Sequence, residues 1–213
     1  MKFNEFLKRY DKVQVIDSST FALLPQKLRD IRRQVRFWVE KGYLIPLKKG
    51  SYIFNETFRK VPLSYSFIAN YLISPSYLSL EYALGFYGLI PEKVTVFTSV
   101  TPKKTLSIKN PLGVFEYRSL KKELFFGFVS RVDNEQPFFI ALPEKALLDY
   151  FYLSKKLRGV DKEFESLRLQ NLEIVNIKRL NEFKSRYGSR TREIANSFIS
   201  FVRQYKKEYR DLK

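Results

Sequence analysis

QKLRDIRRQVRFWVEKGYLIPLKKGSYIF, residues 26–54, decides how this chain is read. Leu28, Ile31, Val35, Trp38 and Val39 recur mostly at steps of three and four, the spacing of one buried helix face. Lys27, Arg29, Arg32, Arg33, Gln34, Arg36 and Glu40 occupy the remaining surface. Gly42, which can adopt positive φ, ends the helix. The spacing therefore predicts a helix from Gln26 to Lys41. A strand Tyr43–Leu47, a tight turn at Lys48, Lys49 and Gly50, and a returning strand Ser51–Phe54 follow it.

Outward from that stretch toward the N-terminus, Phe3, Phe6 and Leu7 put a short helix over Met1–Tyr10. Asp17, Ser18 and Ser19 are capping residues for a second helix beginning near Thr20, and Pro25 interrupts it. Helix, helix, short turn, arginine-rich third helix and two-stranded wing is a winged helix-turn-helix pattern over residues 1–60. In such a fold the last helix lies in the major groove. Arginine forks onto guanine edges there, and wing lysines meet phosphates. The DNA-facing candidates are Lys27, Arg29, Arg32, Arg33 and Arg36 on the helix and Lys48 and Lys49 on the wing. Trp38 shares the apolar face and is read as core rather than as a base-stacking platform.

The charge supports a polyanionic partner. The 213 residues carry 39 Lys and Arg against 22 Asp and Glu, a formal charge of +17. The excess sits at the two ends, residues 1–60 and 178–213, while the middle is nearly balanced. The chain has no Cys and no His. That excludes thiol catalysis, histidine acid–base chemistry and every Cys/His zinc site. No cofactor or metal is expected. No signal-peptide core or run of about 20 apolar residues is present, so a cytoplasmic protein without a membrane partner is expected.

Residues 61–213 read as an α+β domain with basic C-terminal helices. Helices are expected over Val61–Ile73, through LSLEYALGFYGL after Ser76 or Ser79, and after Pro143. Lys93–Val100 reads as a strand, and two hairpins follow, Lys104–Lys109 with Val114–Arg118 and Phe125–Val132 with Pro137–Leu142. The expected sheet is small, mostly antiparallel, and of four or five strands. Helices over Ile177–Tyr187 and Arg190–Tyr209 are split by YGSR. The tail carries Arg203, Lys206, Lys207, Arg210 and Lys213.

Catalytic chemistry has few candidates. TSVTPKKT offers hydroxyls with Lys103 and Lys104, a candidate phosphate or partner contact. Glu144 and Asp149 in PEKALLDY are five residues apart and do not share a helix face, so they are not read as an acid–base pair. Glu144 is expected to cap, Asp149 to pair with a base, and Glu81 to be a buried structural carboxylate.

The order KKGSYIF, PSYLSLEYALGFYGLIPE, TSVTPKKT, FFGF and PEKALLDYFYL resembles the AbiEi family, across roughly residues 3–205. These are antitoxin-like transcriptional regulators of bacterial phage-defence systems. The resemblance implies a winged-helix domain joined to a second domain. It implies a repressor of its own operon that binds inverted repeats in double-stranded DNA cooperatively, as a monomer or weak dimer. It further implies neutralisation of a nucleotidyltransferase-like toxin, AbiEii, without a stable complex, with the second domain implicated. No catalytic motif carries over. Two other readings stand beside it: a DNA-binding regulator without a toxin, whose central domain senses a ligand or protein, and an enzyme acting on nucleotides or nucleic acid.

Overall fold

The computed structural model describes residues 1–155, 157 and 161–211, with the backbone alone for 161 and 206–211. It is an α+β protein with an N-terminal helical cluster and a mixed β-sheet.

Three helices open the chain: α1 (Phe3–Tyr10), α2 (Ser18–Ala22) and α3 (Leu28–Glu40). Asp17 starts α2 by accepting the amides of Ser19 and Thr20, which satisfies donors the helix cannot pair internally. Ile31, Val35 and Trp38 of α3 are buried with Phe6, Phe21 and Leu24. Trp38 lies 4.9 Å from Phe6 and 5.5 Å from Phe3 between ring centroids, so it is core. Gly42 takes φ +71° just past the helix, a conformation that costs other residues strain.

An antiparallel hairpin follows, β1 (Leu44–Lys48) and β2 (Ser51–Phe54). Its loop is Lys49–Gly50, with Gly50 at φ +78°. The segment before α2 joins this hairpin: Ile16 and Tyr52 exchange both backbone bonds, at 2.7 and 2.8 Å. The hairpin's two faces serve different cores. Leu44 and Phe54 pack with the three helices, whereas Leu47 and Ile53 belong to the core of the following domain. The expected boundary near residue 60 thus cuts the chain after a shared element.

The second part comprises α4 (Tyr65–Leu72), β3 (Tyr77–Leu78), α5 (Leu80–Phe86), β4 (Phe97–Thr101), β5 (Leu106–Asn110), β6 (Gly113–Ser119), β7 (Phe128–Asp133), β8 (Gln136–Ala141), α6 (Pro143–Leu153), α7 (Asp161–Ser166), α8 (Ile177–Lys184) and α9 (Ser189–Asp211). The strand order is β5-β6-β4-β3-β8-β7. The three hairpin-like pairs β5·β6, β3·β4 and β7·β8 are antiparallel, and β4·β6 and β3·β8 are parallel. Tyr117 and Leu78 share the sheet face toward α4, where the Tyr117 hydroxyl donates to the Ala69 carbonyl at 2.6 Å. Tyr77 points to the opposite face, toward α6, and donates to Asp149 there.

Four expectations are corrected. The sheet has six strands rather than four or five, and its three antiparallel pairs are joined by two parallel ones. The extra strand is β3, two residues just before α5 where a helix starting at Ser76 or Ser79 is expected. Helix α4 starts at Tyr65, not Val61, because Ser64 caps it by accepting the Phe67 amide. Leu28 is exposed rather than buried. Glu81 is exposed on α5, so it is not a buried structural carboxylate.

Candidate nucleic-acid interface

The exposed side of α3 is built by helical phase. At about 100° per residue, Arg32, Arg36, Arg29 and Arg33 fall within about 100° of arc. All four are exposed, Arg29 and Arg33 at 92% and 86% of their side-chain surface. Asp30 is their only acidic neighbour in the first turn, 3.9 Å from both Arg29 and Arg33. Pairs that long and that exposed hold little energy, so the guanidinium groups remain available to a partner. Lys27 is exposed at the N-cap.

Three large apolar side chains between residues 18 and 40 are exposed: Leu23 at 67%, Leu28 at 55% and Phe37 at 50%. The helical spacing of the sequence puts Leu28 on the buried face. Leu28 is the first residue of α3, where Leu24 from the preceding turn is buried with the core instead. The helical period gave the correct phase but not where the three-helix core ends.

The two lysines at the hairpin turn separate. Lys49 is exposed at the hairpin tip. Lys48 turns back to α4, its Nζ donating to the carbonyls of Leu72 at 2.8 Å and Tyr71 at 3.2 Å. It also lies 4.7 Å from the Tyr71 ring centroid. Burial lowers its pKa, and nearby Asp17 opposes that shift. The carbonyl end of α4 attracts a second cation, Lys103, which donates to the Ser74 carbonyl at 2.6 Å. Lys104 is exposed beside it. A further link crosses the same boundary: the Tyr71 hydroxyl donates to Asp17 at 2.7 Å and lies 3.0 Å from the Ser51 hydroxyl. Burial, with Asp17 beside it, pushes the Tyr71 phenol up to about 12. The N-cap of α2, the hairpin and α4 are thereby fastened together.

The carboxylates of PEKALLDY lie inside the second domain. Asp149 and Lys145, one turn apart on α6, form a fully buried ion pair. Asp149 also accepts from Ser79 at 2.8 Å, Tyr77 at 3.0 Å and Tyr187 at 3.1 Å, and Lys145 donates to the Tyr187 hydroxyl at 2.6 Å. Burial lowers the Lys145 pKa, which the Asp149 charge opposes. The same burial and charge hold the Tyr77 and Tyr187 phenols well above their usual range. Glu144 is equally buried but faces elsewhere. It accepts the Asn176 amide at 2.6 Å at the start of α8 and pairs with Arg179 at 3.3 Å. It therefore secures the start of α8 by holding Asn176, whose own side chain caps that helix through the Arg179 amide.

A cleft of about 720 Å³ opens beside α5, β4 and α6, lined by Glu81, Lys93, Thr98, Arg118 and Tyr150 among others. Among the described residues no group of three or more acidic side chains is placed to hold a metal ion, and no helix is long and apolar enough to cross a membrane. Of the basic tail, Lys213 lies outside the described residues and the side chains of Lys206, Lys207 and Arg210 are not described. No protein-family model and no curated protein matches the sequence.

Proposed function

We propose that this protein is a DNA-binding transcriptional repressor whose residues 1–60 act as a winged helix-turn-helix. The observation that carries the reading is the arc of four exposed arginines on α3, weakly paired and mounted on a buried Ile31–Val35–Trp38 face. A helix about 12 Å across fits the major groove, and four guanidinium groups on one side suit guanine edges and flanking phosphates. The Tyr43 amide donates to the Trp38 carbonyl at 2.8 Å and the Ile16–Tyr52 bridge ties the hairpin to the segment before α2, so the hairpin is held against the helices and Lys49 would meet the backbone beside the groove. Lys48 then serves as the wing's anchor rather than as a phosphate contact.

The narrower reading is an AbiEi-type antitoxin that represses its own operon and counters a nucleotidyltransferase-like toxin without a stable complex. It rests on the order of the sequence blocks. No residue of the second domain is assigned catalysis, since its buried carboxylates are fully engaged within the fold. A second reading, a regulator whose second domain senses a small ligand, is favoured by the cleft beside Arg118 and Lys93.

The test is a binding titration on the DNA upstream of the protein's own gene, beside a scrambled duplex. Sequence-selective binding supports the repressor. Equal, weak binding to both contradicts it. Co-expression with the neighbouring gene then separates the antitoxin, which rescues growth, from the ligand-sensing regulator, which does not.

A further inference from the structure

The exposed arginines of α3 lie between two exposed apolar side chains in the sequence, Leu28 and Phe37. Leu28, Arg32 and Arg36 stand at successive four-residue steps, which makes them one row of neighbours. Leu28 leaves 55% of its surface exposed, while Ile31, the one other apolar residue in the first two turns of the helix, is buried. Phe37 is exposed too, but in the last turn, where the Lys41 ammonium lies 5.7 Å from its ring centroid. Leu28 opens the helix, and the N-terminal residues of a recognition helix are those that reach base edges.

The occupant of this spot must present an apolar group within about 6 Å of a group that Arg32 can bind, on a strongly anionic scaffold. Major-groove DNA meets all three conditions. Thymine offers its 5-methyl group, guanine offers O6 and N7, and the phosphates supply the charge. We infer that Leu28 is a base-specificity residue that packs on the 5-methyl group of a thymine, and that Arg32 reads a guanine close by. Side chains four residues apart have Cβ atoms about 5–6 Å apart, against about 3.4 Å per base step, so the two bases are one or two steps apart. This inference rests on the DNA-binding reading above.

The experiment uses the full chain and a random-sequence duplex library. Repeated selection yields an enriched duplex. Each thymine of that duplex is then replaced singly by deoxyuridine, which deletes only the methyl group. The expected result is a thymine one or two steps from a guanine in the enriched sequence. Its replacement weakens wild-type binding about fourfold, the effect of one methyl-sized apolar contact. Leu28→Ala is insensitive to that replacement, and Leu28→Met retains the sensitivity. An enriched sequence in which no deoxyuridine matters, or in which Leu28→Ala is as sensitive as wild type, overturns the inference and leaves DNA recognition intact. No enrichment at all overturns both, and an acidic protein segment then becomes the occupant to seek.

Discussion

The two halves of the molecule use charge in opposite ways. Residues 1–60 turn Arg29, Arg32, Arg33 and Arg36 outward, with only long, solvated contacts to Asp30. The second domain turns one set of ionic groups inward. Lys145 and Asp149 are fully buried and share their hydrogen bonds with Ser79, Tyr77 and Tyr187. An exposed charge without a strong partner costs little to keep and is ready for a ligand. A buried charge is tolerated only where its partners are complete, and removing one leaves the other stranded. On the proposed reading the exposed set is the recognition surface, while the buried cluster holds the second domain's fold.

That contrast can be broken most severely at Asp149. Asp149→Ala leaves a buried ammonium unpaired and is expected to destabilise the protein by about 3–5 kcal/mol in urea unfolding. A matching loss of stability from an α3 arginine variant would erase the distinction. Arg32→Ala or Arg33→Ala is expected to keep the unfolding midpoint and to cost about 1–3 kcal/mol of affinity for a specific site. Unchanged affinity in both variants would sink the docking of α3.

The junction between the halves gives a smaller effect. Tyr71→Phe removes one hydrogen bond to Asp17, worth about 1 kcal/mol. Burial pushes the Asp17 pKa up, but hydrogen bonds from Ser19, Tyr71 and Thr20 outweigh it and hold the carboxyl below its ordinary value. A lowered carboxylate pKa adds stability above the unfolded value of about 4 and loses it as pH falls through the folded value. The gap between wild type and Tyr71→Phe should therefore narrow below about pH 4, as read by unfolding midpoints across pH 3–6. A gap independent of pH would mean that the charge on Asp17 is not involved. The smallest effect is at the wing tip. Lys49→Ala should weaken binding to specific and scrambled DNA alike and reduce the slope of log affinity against log salt by about 1.

The first half was legible where local rules suffice. Gly42, the Lys49–Gly50 turn and the Ile31–Val35–Trp38 stripe each follow from conformational freedom or period, and the structure has them as expected. Leu28 was misplaced because period fixes a direction around a helix, not the extent of the core beneath it. In the second half, β3 was missed because two residues between a cis-proline turn and a helix carry no alternation to read. The partner of Asp149 was expected only as some base. Its bonds to Tyr77 and Tyr187 join residues 72 and 38 positions apart, which no local pattern encodes. The fate of Lys48 was hidden for the same reason, since its acceptors lie on α4.

The most direct test of the account is the affinity ratio between the protein's own upstream DNA and a scrambled duplex, at one fixed salt concentration. It is measured for wild type and for a variant with Arg29, Arg32, Arg33 and Arg36 all changed to Ala. The account predicts a clear preference in the wild type that falls to near unity in a variant that still folds. A folded variant that keeps the wild-type preference would contradict it and move recognition away from α3.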